Sequence, residues 1–336
     1  MEGNGYVREM NPVFNPKWWL CLLLAVLLIC PASAPAEGKV FYSGETEPFP
    51  EDTELLTIRV AGIMGGDCML MTLGDHSMFV DLGPKSCLPY IKELIELAGI
   101  DHVDSFFNTH PHLDHIGGFK PLVDSGFPVG EMMTLFPHDL IANFVLQVRA
   151  VNAANEHHIP IVDIKDQDQI PFGGAELTVY KIPDKYITRE YPINDQSAML
   201  MVRYGECSVL LSGDLEIRGQ LKMVELYGDR LKADILKTPH HGNPLKPVFY
   251  KTVDPEFCFI THTANDTRKT QELLQTYGRN RMAFASWGVI TLQTDGQKWI
   301  VSQTVYPEKE GHAKKYLRYH PKVQTPVIFD DSISGQ

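Results

Sequence analysis

The sequence predicts an α/β fold of the αββα type, in which two mixed β-sheets pack face to face and carry helices on their outer sides. Three observations lead to this prediction. Short apolar runs rich in β-forming residues recur from residue 55 to residue 304. Helical segments interrupt these runs in both halves of the chain. The chain has 336 residues, 44% of them hydrophobic, which is enough for one large domain or two small ones.

The first half is predicted to contain four strands and two helices. The strands cover residues 55–63, 67–73, 76–83 and 103–109. Gly-Gly and Gly-Asp turns separate the first three strands. A helix is predicted over 88–99, where apolar residues recur at helical spacing and Gly99 provides a stop. A longer helix is predicted over 138–156.

The second half repeats this pattern. Its strands are predicted over residues 175–182, 197–204, 207–213, 233–238, 257–262, 282–286, 288–293 and 298–304. Helices are predicted over 217–228 and 266–278. Residues 37–54 are predicted as a polar linker, residues 55–304 as the domain, and residues 305–336, which lack strong periodicity, as a C-terminal tail.

The N-terminal segment, residues 1–36, has the features of a secretory signal. Arg8 and Lys17 precede an apolar run over 18–30, and a small-x-small site follows at 34–36. This run is short for a membrane span but suits a signal peptide. A cleaved signal is the favoured prediction, and an uncleaved anchor at a membrane is the alternative. In both cases the working domain is expected outside the cytoplasm.

The formal net charge of the chain is −12. A strongly acidic protein repels polyanions at long range and gains little from nonspecific phosphate contacts. The charge therefore disfavours a nucleic-acid partner without excluding one. It is compatible with a phosphodiester substrate because bound metal ions can reverse the local field.

The cysteines do not predict a zinc site. Of the six cysteines, Cys21 and Cys30 lie in the N-terminal segment, and the other four form no CxxC pair. In an exported protein, a bridge between Cys68 and Cys87 is one alternative, and buried free thiols are the other.

The densest cluster of metal-binding side chains follows the strand predicted over 103–109. Within six positions of NTHPHLDHIGG, residues 108–118, stand His110, His112, Asp114 and His115. Loops at strand ends are usual places for sites in sheet proteins. Imidazole and carboxylate together suit a borderline divalent cation such as zinc.

Two other predicted strands end in residues of the same type. Asp214 follows the strand over 207–213, and His240 and His241 follow the strand over 233–238. Loops from several strand ends can converge, so these residues predict a site with about six nitrogen and oxygen ligands. Such a site can hold one metal with water, or two metals bridged by a carboxylate.

The order of these motifs resembles the metallo-β-lactamase superfamily, and in detail the hydrolase domain of ComEC-type competence proteins. HxHxDH is followed by a strand ending in SGD and then by LKxxHHG. The resemblance covers roughly residues 55–304 and has Asp67 and Asp81 at positions typical of that group. It extends to WGVITLQTDGQKWIV, which is similar to the closing hairpin. It implies the αββα metallo-β-lactamase fold.

The resemblance also implies two metal sites that share one carboxylate. The ligands implied for the first site are His110, His112 and Asp214. The ligands implied for the second site are Asp114, His115, Asp214 and His240. One or two Zn²⁺ ions are expected, with Mn²⁺ as the alternative.

Two positions in this assignment have alternatives. His241 is the alternative to His240, although the family's HHG pattern favours the first histidine. Many superfamily enzymes carry a further histidine ligand before the bridging aspartate, but this chain has INDQSAM there, with Asn194 and Ser197. Asp195 is an alternative ligand, and a turn at the start of the strand is favoured for it. The first site is therefore expected to be the weaker one.

The predicted function is that of an exported metal-dependent hydrolase in which the metal activates a water molecule. Asp114 is the expected catalytic residue because it would hold a metal and orient that water. Asn194, Ser197 and His262 are expected to contact the substrate, with a structural role equally open for His262. A phosphodiester, either a small molecule or a polymer, is the favoured substrate. Hydrolysis of a lactone, thioester or β-lactam is one alternative, and a non-catalytic, metal-stabilised binding module at the cell surface is the other.

The C-terminal segment contains one further motif. KKYLRYHPK, residues 314–322, alternates basic and aromatic side chains. Such a pattern can bind nucleic acid or an anionic wall polymer, but a solvated tail is the favoured interpretation.

Overall fold

The structure of the protein is a computed structural model that describes residue 1 and residues 38–134, 145–186, 192–277 and 279–329. The predicted signal or anchor lies outside this part of the chain except for Met1, and so does the start of the helix predicted over 138–156. The described residues from Lys39 onward form one compact unit.

Seventeen strands occur in the described part of the chain, and every strand predicted from the sequence overlaps one of them. They are β1 Val40–Tyr42, β2 Leu56–Val60, β3 Cys68–Leu73, β4 His76–Leu82, β5 Val103–Phe107, β6 Val129–Thr134, β7 Ile161–Asp163, β8 Gln169–Phe172, β9 Ala175–Tyr180, β10 Met199–Tyr204, β11 Cys207–Leu211, β12 Ile235–Lys237, β13 Phe257–Ile260, β14 Met282–Phe284, β15 Gly288–Thr294, β16 Trp299–Val305 and β17 Val327–Ile328.

Eight α-helices connect or cover these strands in the described residues. They are α1 Leu88–Ala98, α2 Leu113–Ile116, α3 Phe119–Asp124, α4 Val145–Glu156, α5 Ile217–Tyr227, α6 Pro247–Val253, α7 Arg268–Thr276 and α8 Glu310–Tyr319. Within the ranges that the structure covers, no helix has the length and apolar character that crossing a membrane requires.

The strands form two mixed sheets. The ten-stranded sheet has the order β1-β16-β15-β2-β3-β4-β5-β6-β7, with β17 also paired to β16. The seven-stranded sheet has the order β14-β13-β12-β11-β10-β9-β8. Strands β4 to β7 are parallel to one another, and so are strands β11 to β14. The hairpins β3–β4 and β10–β11 that precede these two groups are antiparallel.

The apolar faces of the two sheets meet in one shared core. Ile58 and Val80 of the first sheet and Leu200 and Val209 of the second are fully buried there together with Trp299. The outer face of each sheet packs against helices. Side chains of α1, α3 and α4 share a second cluster with the first sheet, and side chains of α5 to α8 share a third with the second sheet. The predicted αββα arrangement is confirmed.

The parallel strands bring the predicted site residues to one edge of the sandwich. Asp81 lies at the end of β4, and His110 follows β5. Asp214 follows β11, His241 follows β12 and Thr261 follows β13. Because the carboxyl ends of adjacent parallel strands lie at the same edge, these loops converge.

The structure differs from the predicted domain limits at both ends. Strand β1 lies inside the predicted linker, residues 37–54, and pairs with β16. The predicted tail, residues 305–336, contains α8, whose Ala313 is fully buried against the second sheet. The sequence periodicity missed α8 because most of its side chains are charged or polar and only a narrow stripe is apolar.

Candidate metal centre

The loop that carries the histidine cluster is held by the buried carboxylate of Asp81. Asp81 Oδ1 accepts hydrogen bonds from Asn108 Nδ2 at 3.0 Å and from the backbone N–H of Thr109 at 2.9 Å. Its Oδ2 accepts a hydrogen bond from Thr109 Oγ1 at 2.6 Å. Gly118 allows the loop to return to β4, because a Cβ there would lie 2.1 Å from the carbonyl oxygen of Leu82.

The same carboxylate orients His115. The Nδ1 of His115 hydrogen-bonds Asp81 Oδ2 at 2.7 Å, so the opposite ring nitrogen, Nε2, faces Asp214 Oδ2 at 3.1 Å. His115 is fully buried, and its Nε2 has no hydrogen-bond partner among the described residues. A buried imidazole nitrogen aimed at carboxylates is the arrangement of a metal ligand held by a supporting carboxylate.

His241 approaches the same aspartate from the end of β12. Its Nδ1 lies 2.9 Å from Thr261 Oγ1 and 3.2 Å from Asp67 Oδ1. Thr261 Oγ1 donates to Asp67 Oδ1 at 2.7 Å, so the hydroxyl accepts from His241. The Nε2 of His241 then lies 3.1 Å from Asp214 Oδ2 and 3.2 Å from Asp114 Oδ2.

These contacts bring four side chains to metal-binding spacing. The distances from Asp214 Oδ2 to His115 Nε2 and to His241 Nε2 are both 3.1 Å. The distances from Asp114 Oδ2 to the same two nitrogens are 4.0 and 3.2 Å. Tetrahedral ligands about 2.0–2.1 Å from a zinc ion lie roughly 3.3 Å from one another. The two imidazoles and two carboxylates therefore fit a divalent cation.

Asp67 belongs to the same cluster. One ligand atom of each of Asp67, His115, Asp214 and His241 lies within 4.8 Å of the others. The Asp67 oxygens are already engaged, because one faces His241 Nδ1 and the other pairs with the Lys237 ammonium. Asp67 therefore supports His241, and Asp114 is the second carboxylate of the ligand set in its place.

Lys237 is a component of the site that the sequence analysis missed. It is fully buried at the end of β12. Its Nζ pairs with Asp67, lies 3.4 Å from Asp214 Oδ1 and donates to the carbonyl oxygen of Gly213 at 2.8 Å. The ammonium compensates two buried carboxylates, which would otherwise be costly to ionise. The available signal was a lysine at the end of a short apolar strand.

The charges of the cluster shift its pKa values in opposite directions. Burial raises the pKa of Asp214, but His115, His241 and Lys237 outweigh burial and hold it well below the usual range. Burial lowers the pKa of His241, but Asp214 and Asp67 outweigh burial and raise it to about 10. The pKa of His115 is raised in the same way, chiefly by Asp214 and Asp81. Without a bound metal ion, these two imidazoles add to the positive charge of Lys237 at the site.

For His240, the structure differs from the preferred prediction. His240 and His241 both have left-handed backbone torsions, with φ of 47° and 53°, and successive side chains in such a turn point in different directions. The His240 Nε2 lies 3.5 Å from Asn194 Nδ2 and its Nδ1 3.9 Å from Glu216 Oε1. His241, the alternative, faces Asp114 and Asp214 instead.

The other side of Asp214 is formed by His110 and His112. His110 is fully buried, its Nε2 lies 3.9 Å from Asp214 Oδ2, and that nitrogen has no hydrogen-bond partner in the described ranges. Burial and the neighbouring His115 hold the pKa of His110 well below its usual value, so the ring is neutral, as a metal ligand must be. The His112 ring is 4.7 Å from the His110 ring.

The residues predicted to contact the substrate have different surroundings. Asn194 lies beside His112 and donates to Glu216 Oε1 at 2.9 Å. Ser197 is fully buried and accepts a hydrogen bond from the Asp214 backbone N–H at 3.1 Å, so it supports the aspartate and is not open to a substrate. Asp195 lies in a short 3-10 turn and accepts a hydrogen bond from the Gly219 backbone N–H at 2.8 Å.

His262 lies next to the cluster without joining it. Its side chain is partly exposed, and its Nδ1 accepts from the Thr263 backbone N–H at 2.8 Å and lies 3.3 Å from Asp266 Oδ2. A Cβ at Gly65 would contact the His262 ring at 3.5 Å. The histidine thus faces the Gly65–Gly66 turn, which packs against Asp114.

The cysteine alternatives are also resolved. Cys68, Cys87, Cys207 and Cys258 are buried free thiols. Burial and the neighbouring Cys87 raise the pKa of the Cys68 thiol well above its usual value.

A fold of two packed sheets with a His/Asp cluster at the strand ends defines a class of metal-binding hydrolases. A sequence profile described as Metallo-beta-lactamase superfamily matches residues 61–262. The chain belongs to this superfamily.

Curated relatives place the chain near competence proteins. The chain is 25% identical over 244 residues to ComE operon protein 3 of Bacillus subtilis, covering 67% of this chain and 28% of that protein. It is 24% identical over 258 residues to Competence protein ComA of Neisseria gonorrhoeae, covering 76% of this chain and 33% of that protein. The matches confirm the predicted resemblance to ComEC-like proteins. The chain spans only about a third of the length of these relatives.

Solved structures include the metallo-beta-lactamase fold protein YhfI from Bacillus subtilis. It is 14% identical, with a TM-score of 0.48, and the match covers 72% of this chain and all of that chain.

Proposed function

We propose that this protein is an exported, metal-dependent phosphodiester hydrolase. The observation that carries the proposal is the convergence of His115 Nε2 and His241 Nε2 on one oxygen of Asp214, each at 3.1 Å. Buried imidazole nitrogens without hydrogen-bond partners in the described residues accompany it. Most buried polar atoms in proteins are hydrogen-bonded, so these nitrogens support a bound ligand at this position.

Asp114, His115, Asp214 and His241 would hold one metal ion, and His110, His112 and Asp214 would hold another. Zn²⁺ suits this mixture of nitrogen and oxygen donors, with Mn²⁺ as the alternative. When bound, the metal would lower the pKa of a water molecule toward neutrality and polarise an oxygen on the phosphorus that the water attacks.

Asp114 would orient the attacking water. Its side chain is 41% exposed, in contrast to the buried Asp214, so it borders both the ligand cluster and solvent. A carboxylate there can accept a hydrogen bond from the water and hold it in line with the scissile bond. The buried Asp81 and Asp67 would keep His115 and His241 fixed while charge develops on the substrate.

Two features support a phosphodiester over an acyl substrate. The four motifs resemble those of the ComEC-like group, and Asn194 stands beside His112 where many superfamily enzymes have another histidine. The neutral amide leaves this side of the site with only His110, His112 and Asp214 as ligands. A negatively charged phosphate oxygen can complete that incomplete set better than a neutral carbonyl oxygen can.

Export is proposed from the N-terminal segment alone. The apolar run over 18–30, preceded by Lys17 and followed by a small-x-small site, supports it. N-terminal sequencing of the protein recovered outside the cytoplasm tests it: a start near residue 37 is expected, and a chain found only inside the cell would contradict it.

The activity is tested with bis(p-nitrophenyl) phosphate, a chromogenic β-lactam and a chromogenic lactone on zinc- and manganese-loaded protein. The diester should be hydrolysed, and a chelator should abolish turnover. His241→Ala should remove activity, while the matched variant His240→Ala should retain most of it, because only His241 faces Asp114 and Asp214.

The other outcomes identify the rival functions. Turnover of the lactam or lactone without the diester would replace the proposal with acyl hydrolysis. Firm metal binding without turnover of any substrate would point to a binding module. Equal loss in the two histidine variants would contradict the assignment of the site.

A further inference from the structure

A cavity of about 590 Å³ lies beside the metal centre. Two loops connect them. Thr261 hydrogen-bonds His241 at the metal centre, and Thr263, two residues later, lines the cavity. Met64 also lines it, two residues before Gly66, where a Cβ would lie 2.8 Å from the carbonyl oxygen of Asp114. The same two loops therefore contribute to both the metal centre and the cavity.

The opposite wall of the cavity carries positive charge. Helix α8 presents His312, Lys315 and Tyr319 on one face, and Lys309 precedes the helix. In the ranges that the structure describes, no carboxylate lies within 4.0 Å of either lysine ammonium. The neighbouring Lys314, by contrast, pairs with Glu310 at 3.1 Å outside the cavity. Two lysines without a directly paired carboxylate in the described residues therefore line this cavity, although the chain has a net charge of −12.

The acidic residue of the cavity does not cancel this charge. Asp266 lines the same cavity, but its Oδ2 pairs with the Thr263 hydroxyl and lies 3.3 Å from His262 Nδ1. Asp266 is thus engaged on the wall formed by its own loop, and the lysines remain available to a ligand.

We propose that this cavity binds a phosphate that flanks the scissile group of an oligomeric phosphodiester. The inference rests on the function proposed above and names its substrate class. The volume falls within the range of about 300–1,000 Å³ typical of small-molecule sites. Lysine ammonium groups bind phosphate as point charges. The Tyr319 ring, 70% exposed, offers a surface on which a planar ring can stack.

The test compares two substrates of the metal-loaded full chain. They are thymidine 5′-(p-nitrophenyl phosphate) and the same compound with an added 3′-phosphate. The 3′-phosphate should lower KM about tenfold, and this preference should disappear in the double variant Lys309→Gln/Lys315→Gln. Lys314→Gln, which removes the same charge from the same helix outside the cavity, should keep the preference.

A binding measurement gives a second readout that does not need turnover. Thymidine 3′,5′-bisphosphate should bind about tenfold more tightly than thymidine 5′-phosphate by calorimetry, and the double variant should lose the difference. Raising the salt concentration should weaken it. If Tyr319→Ala weakens binding of thymidine bisphosphate but not of glycerol bisphosphate, the flanking unit is a nucleotide. If the variant binds both compounds as tightly as the unsubstituted protein does, the flanking unit belongs to a polyol phosphate polymer. Both results support the cavity as the phosphate site.

The failures are distinguishable. Turnover of both substrates with equal KM, or an equal effect of Lys314→Gln and the double variant, would overturn the cavity as a phosphate site and leave the hydrolase intact. Absence of turnover on every diester would overturn the proposed hydrolase, and the cavity would lose its substrate with it.

Discussion

The two sides of Asp214 differ in how their histidines are held. On one side, His115 Nδ1 hydrogen-bonds the buried carboxylate of Asp81 at 2.7 Å. His241 Nδ1 lies 2.9 Å from the Thr261 hydroxyl and 3.2 Å from the buried carboxylate of Asp67. On the other side, the Nδ1 of His110 faces a hydroxyl, Thr109 Oγ1, at 3.1 Å. His112 is only half-buried and lies beside the neutral Asn194.

The two sides therefore differ in the groups that support their histidines as well as in their number of ligands. A carboxylate behind an imidazole fixes its tautomer and raises its basicity, which strengthens metal binding. The supported side also has Asp114 as a second carboxylate, whereas the other side has only Asp214. The supported side should therefore hold a metal ion firmly, and the other side should bind a second ion weakly.

The largest expected effect is that of removing the shared aspartate. Asp214→Ala should lower kcat/KM by about 10³-fold or more, because it removes a ligand from both ions and the metals are worth several kcal/mol of transition-state stabilisation. Metal content and diester turnover are measured beside His112→Ala, which should lose less of both. Full activity in Asp214→Ala would contradict the assignment of Asp214 as a ligand shared by both ions.

The next effect concerns the buried ammonium. Lys237→Met removes the buried ammonium that pairs with Asp67 and Asp214, and the free energy of unfolding of metal-free protein should fall by about 3–5 kcal/mol. Urea denaturation measures this. Lys120→Met removes an exposed pair with Asp124 and should cost less than about 1 kcal/mol. Similar losses of unfolding free energy in the two variants would show that the buried ion pairs stabilise the protein no more than the exposed pair does.

Metal affinity should rise with pH on the supported side. In metal-free protein the pKa of His241 is raised to about 10 and that of His115 well above its usual value, so both are protonated near neutrality. An ion must displace these protons. Zinc affinity should therefore increase by about tenfold per pH unit for each proton displaced, and calorimetry in two buffers should detect proton release. A pH-independent affinity from pH 6 to 8 would contradict this charge state.

The smallest effect is that of weakening a support. Asp81→Asn keeps the size of the side chain but removes the charge behind His115, and metal affinity on that side should fall about 10- to 100-fold. The control is Asp101→Asn, whose carboxylate is exposed and contacts His102. Equal affinities in the two variants would mean that the buried carboxylate does not distinguish the sides.

Much of this site could be predicted from the sequence. The strand-ending motifs located Asp214 and the cluster from His110 to His115, because three histidines and an aspartate directly after an apolar strand are typical of a metal site. The αββα fold followed from the alternation of strands and helices. Local pattern was sufficient wherever one segment carried the signal by itself.

The rest depended on contacts between distant segments. The choice of His241 over His240 depends on which ring reaches Asp114 and Asp214 in the folded chain, which no motif spacing reveals. The roles of Lys237 and Ser197 require the pairing of β12 with β11 and the packing of Asp214 against the start of β10. The wall formed by α8 was missed because KKYLRYHPK has too few apolar residues to predict a buried helix.

The most direct test of the central claim is a zinc titration of the metal-free protein. Two separated binding steps are expected, one tight and one weak. His241→Ala should remove the tight step and His112→Ala the weak one, while the neighbouring variant His240→Ala should keep both. Two ions bound with indistinguishable affinity, or a tight step that survives in His241→Ala, would contradict the assignment of the supported side as the primary metal site.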